Sequence, residues 1–287
     1  MRIANLNGRA CLLDGDQALD IATASSGKFG PDPTTIYDTW DGFLTWALPV
    51  RVAEHPETKA FDRADLLTPV PRPTQILAVG LNYAEHAQES KLKVPDNPLV
   101  FTKFASSLAG TDTVVSLSGD KIDWEAELVV VVGRTGRDIA VADGWDYVAG
   151  LSVGQDISDR TVQWWGDASQ FSLGKSFAGY APVGPAVVTV DEFDAIDRDD
   201  LRVTSTLVTP GVADRTLQDG RTSRMIFSIP ELIARLSAIV ELRAGDLIFT
   251  GTPAGVGIGL NPPEYLKSGQ TLTTEIEGIG EIHQRFI

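Results

Sequence analysis

The segment IDWEAELVVVVG, residues 122–133, constrains this chain more than any other stretch. Its four successive valines are β-branched and stiff at χ1, which favours an extended backbone. Unbroken apolar character predicts a strand covered on both faces, because a half-exposed strand would alternate. Residues two apart on a strand share a face, so Glu125 and Glu127 are expected side by side where the core strand begins. Two carboxylates so close cannot both stay ionised in a buried site without compensation. A basic neighbour, a bound cation or a retained proton would each supply it. The ordinary alternative is an exposed sheet edge, and this segment alone does not choose between them.

Strand-like segments recur along the chain. Asn7-Gly8 and Asp14-Gly15 punctuate a hairpin-rich start over residues 1–24. A helix is expected over 31–48, between Pro31 and Pro49. LLTPVPRPTQ (66–75) reads as an extended linker, which divides the chain into a small leading domain, 1–70, and a main domain, 71–287. Beyond it, QILAVGLNYAEHAQES runs strand, glycine turn, helix, and MIFSIPELIARLSAIVEL holds the clearest helical period, from about Pro230. QTLTTEIEGIGEIHQRF alternates like exposed strands. Strands dominate with helices between them, so the expected class is α+β.

Composition narrows the function. At −15, the net charge of the 287 residues argues against nucleic acid, whose phosphates need a basic surface. No apolar stretch approaches the length of a membrane span, and the opening residues lack the pattern of a signal peptide. Cys11 is the single cysteine, so an internal disulfide is excluded and a reducing cytoplasm is expected.

Other residues join the two glutamates. Asp156 follows the strand-like GLSVGQ and offers a third carboxylate at a strand end, where sites form. Three oxygen ligands without cysteine select a hard ion: magnesium, manganese or calcium. His86 and Glu89 stand three apart on a helical segment, as a general base and its orienting carboxylate would; a surface ion pair is the plainer reading. In SQFSLGKSF, Gly174-Lys175-Ser176 ends like a phosphate loop but lacks its first glycine, and Ser172 with Lys175 lacks the companion motifs of an acylase. Lys175 keeps interest as a cation for a carboxylate or an enolate. GTPAGVGIG reads as backbone donors lining a pocket.

Taken in order, VGLNYAEHAQE, FTKF, DWEAELVVVVG, GQDISDRTVQ, LGKSF, MIFSIPELI and GDLIFTGTPAGVG resemble the fumarylacetoacetate hydrolase family over about residues 75–287. The resemblance implies a mixed β-roll, usually dimeric, with magnesium or manganese held by Glu125, Glu127 and Asp156. It implies a water-activating pair, His86 and Glu89, and a substrate-facing Lys175. Lys103, Arg160, Gln163 and Thr252 match substrate-contacting or metal-adjacent positions. Leu81 and Phe104 depart from the arginine and proline common in the family, the first weakening any claim to a second acidic group on the substrate. The implied reaction is metal-dependent cleavage of the carbon–carbon bond of an acylpyruvate or other 2,4-dioxo acid. Oxaloacetate decarboxylation and hydroxymuconate-type isomerisation are alternatives, ahead of a sugar-acid dehydratase or a silent 2-oxo-acid binder.

Overall fold

The computed structural model describes residues 1–89 and 93–287. At its centre the strand Ala126–Val132 lies antiparallel between Val148–Gln155 and Leu247–Phe249. Every residue of that strand is buried, as the valine run requires. The pleat sends alternate side chains to opposite faces. Leu128, Val130 and Val132 pack with Val203, Ile276, Ile282 and the helix Ile229–Ser237. Val129 and Val131 pack with Ile3, Leu12, Phe43 and Phe249 on the other side.

A twelve-stranded sheet contains this centre. From it, the ladder runs outward through Val148–Gln155, Ala181–Thr189, Arg2–Leu6, Arg9–Asp14 and Gln17–Asp20 in one direction. In the other it runs through Leu247–Phe249 and Ile76–Gly80 to an edge strand, Leu99–Thr102. A five-stranded sheet, with Arg202–Val208, Thr271–Ile276 and Gly280–Phe286 at its middle, covers one face. The architecture is α+β, dominated by sheet.

A division of the chain at residue 70 is a proposal about its sequence. In space, the leading strands continue the large sheet through Arg2↔Val188 and Ile3↔Val187, and their side chains share a core with Val129 and Phe249.

Local chemistry shortens some expected elements. The helix expected over 31–48 occupies only Trp40–Ala47, after a 3₁₀ turn at Tyr37–Thr39. Asp32 accepts from the backbone of Thr34 at 3.0 Å through its side chain, a turn that competes with helix. Pro230 does open a helix, Ile229–Ser237, whose Ser228 and Glu231 form a capping box. The C-terminal strands are not fully exposed: Leu272, Thr274, Ile276, Ile282, Gln284 and Phe286 are buried.

Candidate metal centre

Glu125 precedes the central strand by one residue and Glu127 sits second in it, so both face the same way at its N-terminal end. Asp156 directly follows the neighbouring strand, and its backbone N–H donates to the Glu125 carbonyl at 2.9 Å. The antiparallel ladder thus brings Asp156 together with two glutamates 31 and 29 residues earlier in sequence, at one sheet end. One oxygen from each of Glu125, Glu127 and Asp156 lies within 4.8 Å of the others, and all three residues are buried. Three clustered hard oxygens fit magnesium or manganese, which take carboxylates and keep positions for other ligands. This buried triad could hold such an ion.

Three buried cations compensate the charge. Lys175 Nζ donates to Glu125 Oε2 at 2.7 Å and Asp156 Oδ2 at 2.5 Å. Lys103 reaches Asp156 and the carbonyl of Lys175. Arg160 donates to Glu125 Oε1 at 2.7 Å and, through Nε, to Asp123 at 2.8 Å. Among these groups Asp123, Glu125, Glu127 and Asp156 outnumber Lys103, Arg160 and Lys175, leaving one negative charge uncompensated. The imbalance falls on Glu127. Burial, then repulsion from Asp156 and Glu125, push its carboxyl well above the usual range, while its donor among the described residues is Gly251 N–H at 2.8 Å. A divalent ion in the triad would relieve that repulsion. Burial acts against ionisation of Glu125 as well, but Lys175 and Arg160 outweigh it and hold the group at about 2. For Lys103 burial dominates and pushes the ammonium down; for Lys175 the attraction of Asp156 and Glu125 overcomes burial and raises it.

His86 and Glu89 lie on the helix Ala84–Glu89, with Nδ1 of His86 3.5 Å from Glu89 Oε2. His86 is buried, whereas Glu85 on the same helix is exposed and His55 lies on a turn distant in sequence. Asn82, just before this helix, accepts from Phe227 N–H and donates to the Thr250 carbonyl at 2.8 Å, tying the helix base to the loop after the strand Leu247–Phe249. Gln163 accepts from Arg160 at 3.0 Å, and its buried Nε2 has no partner among the described residues. Thr252 is buried. Its hydroxyl donates to Ala126 O at 2.9 Å and accepts from Gln218 at 2.7 Å, so its proton is engaged and one lone pair is left to accept.

The phosphate-loop and acylase resemblances dissolve. Ser172 and Ser176 accept from the backbone of Thr102 and Phe104, while Lys175 turns into the carboxylate cluster. The glycine loop does present donors, but they serve Glu127, Glu89 and Asp123. Asp123 was absent from the expected site. Its two-residue spacing from Glu125 in DWE was the available signal, since it repeats the spacing of the two glutamates.

Known proteins share this arrangement of sequence and fold. Human mitochondrial oxaloacetate tautomerase is 39% identical over 223 residues, covering 77% of this chain and 69% of its own. The structure of an HpcE-like protein from Mycobacterium smegmatis superposes with TM-score 0.91 at 48% identity, covering 100% of this chain and 99% of its own. Maleylpyruvate hydrolase from Sphingobium superposes with TM-score 0.78 at 27% identity, covering 100% and 99%. Residues 75–287 match the family described as fumarylacetoacetate (FAA) hydrolase C-terminal, and the chain belongs to that family.

Proposed function

We propose that this protein performs metal-dependent keto–enol chemistry on a 2-oxo acid, with tautomerisation of oxaloacetate or a close 2-oxo diacid as the leading reaction. The observation that carries it is Lys175 seated on two carboxylates of the triad, a cation where an enolate oxygen would form. The oxaloacetate tautomerases among the relatives, at 37–40% identity, support the choice of substrate. Magnesium or manganese held by Glu125, Glu127 and Asp156 would supply the charge that binds the 2-oxo carboxylate and acidifies the adjacent carbon.

His86 turns Nδ1 toward Glu89, which leaves Nε2 to take a proton from carbon 3. The electron pair of that C–H bond becomes the C2–C3 double bond, and the carbonyl pair moves onto the C2 oxygen. Lys175 stabilises that oxygen as negative charge develops, and its protonation gives the enol. Lys103 holds Lys175 through its carbonyl. Gln163 Nε2 is a donor for a substrate oxygen.

The second reading is hydrolysis of an acylpyruvate, favoured by the pairing of His86 with Glu89, which suits a base acting on water. Water would lose a proton to His86 and attack the distal ketone. The carbon–carbon bond would then break, its electron pair leaving with pyruvate enolate. We also infer a homodimer, and a reducing, cytoplasmic setting supported by the single cysteine. Among the described residues no helix is long and apolar enough to cross a membrane.

The test follows enol-oxaloacetate absorbance and acylpyruvate cleavage in parallel, with manganese and with chelator. Manganese-dependent enol conversion supports the first reading. Manganese-dependent cleavage without enol conversion supports the second. A folded, manganese-loaded protein inert to both overturns both.

A further inference from the structure

We propose that the loop 255–259 is the positioning element for Glu89, anchored by Asp123 to the residues around the metal triad. The inference rests on the reading of His86 and Glu89 as a base and its orienting carboxylate.

The separation of His86 from Glu89, 3.5 Å, is long for a hydrogen bond that must fix a ring by itself. Glu89 is held from the other side. Gly255 N–H donates to both of its oxygens at 3.2 Å. That backbone has φ +104°, and a Cβ there would lie 2.2 Å from the Leu217 carbonyl, so glycine is required to present the donor. Four residues on, a Cβ at Gly259 would lie 2.5 Å from Cδ of Glu89 and 2.6 Å from its Cγ. The Glu89 side chain fills the space that a side chain at 259 would take.

Between these two contacts, the loop is fastened to a fully buried acid. Gly257 N–H and Ile258 N–H donate to Asp123 at 2.7 and 3.0 Å. Asp123 also accepts from Trp124 N–H at 2.8 Å and from Arg160, which in turn donates to Glu125. One continuous set of bonds therefore runs from Glu89 through the loop to Asp123, Arg160 and Glu125. It sets the carboxylate that orients His86 relative to the carboxylates of the triad. Displacement of a reacting group by about 1 Å costs on the order of 100-fold in rate, so a seat of this kind has kinetic consequences.

A double-substitution cycle tests this, with hydrogen exchange of residues 253–259 as a readout independent of turnover. Gly259→Ala is expected to lower kcat on the order of 100-fold with KM and manganese affinity little changed. Glu89→Ala removes the atoms that the new methyl would strike, so adding Gly259→Ala to it should cost nothing more. Exchange in the loop should rise in Glu89→Ala. Should Gly259→Ala alone fold poorly, the double variant must recover the fold. Additive losses, unchanged loop exchange, or failure of the double variant to recover would each overturn the proposal. Faster loop exchange with undiminished turnover in Glu89→Ala would keep the seat and overturn the base reading instead.

Discussion

Lys175 places its Nζ 2.7 Å from Oε2 of Glu125, inside the carboxylate cluster and shielded from water. A protein cation thus occupies the position of charge balance that a metal ion would share. Removing one partner of such a buried pair costs about 3–5 kcal/mol, because the remaining charge is left uncompensated. Lys175→Met should therefore lower the stability of the metal-free protein by about that amount. The triad then lacks a competing cation, so manganese should raise the melting temperature more than in the wild type. Thermal melts with and without manganese give both numbers. An equal manganese shift in the two proteins would contradict this picture of charge sharing.

Glu127 is the carboxylate of the triad without an ammonium or guanidinium hydrogen bond among the described residues, and its ionised form is the one that burial and its neighbours disfavour. Glu127→Gln should abolish the manganese-dependent melting shift while leaving the metal-free protein at least as stable, because a neutral amide avoids the burial and repulsion that disfavour the ionised carboxylate. Calorimetric titration with manganese checks it. Wild-type affinity in the variant would remove Glu127 from the ligand set.

Much of this centre was legible in the sequence. The valine run with its two glutamates predicts a doubly covered strand ending in carboxylates, and period-two geometry puts both on one face. Asp156 was legible as a strand-end carboxylate. What was not legible is the compensation. Lys103 follows the strand Leu99–Thr102, Arg160 opens the short helix Arg160–Gln163 and Lys175 follows the helix Phe171–Gly174, and only the antiparallel register of Ala126↔Gln155 brings their targets together. Thr252 is a similar case. Its motif suggests a substrate contact, and its hydroxyl also bonds Ala126 and Gln218, partners that no local pattern reveals. The hairpins expected over residues 1–24 form as far as Asp20, with Ile21–Ala24 a short helix, and that they extend the main sheet depends on the distant strand Ala181–Thr189.

Burial pushes the Cys11 thiol up from its ordinary 9.0 to about 12. The thiolate is the reactive form, so Cys11 should resist thiol reagents in the folded protein and react fully after denaturation. Its folded value is raised, so its contribution to stability is complete below about 9 and declines as pH rises toward about 12. Cys11→Ala should lose that component of the alkaline decline. Rapid labelling of the folded wild type at neutral pH would contradict the burial.

Trp164 and Trp165 are 64% and 62% exposed, beside the helix Phe171–Gly174 that packs on the edge strand Leu99–Thr102. Phe104 and Leu173 extend the apolar surface, and an edge strand offers unpaired backbone groups. A second copy is the occupant we expect, so sedimentation should give a dimer at micromolar concentration and Trp164→Glu with Trp165→Glu should weaken it. A wild-type monomer would refute the dimer, and an undisturbed dimer in the variant would move the interface elsewhere.

The most direct test of the central claim is calorimetric binding of oxalate, whose adjacent carboxylate oxygens mimic the enolate of a 2-oxo acid. Analogues of this kind bind tightly where a site is complementary to the charge that develops during reaction. The wild type should bind oxalate in the presence of manganese and lose that binding with chelator. Lys175→Met should bind it more weakly with manganese, because the cation facing the enolate oxygen is gone. Oxalate binding that is equal with and without manganese, or absent from a manganese-loaded protein, would contradict the account.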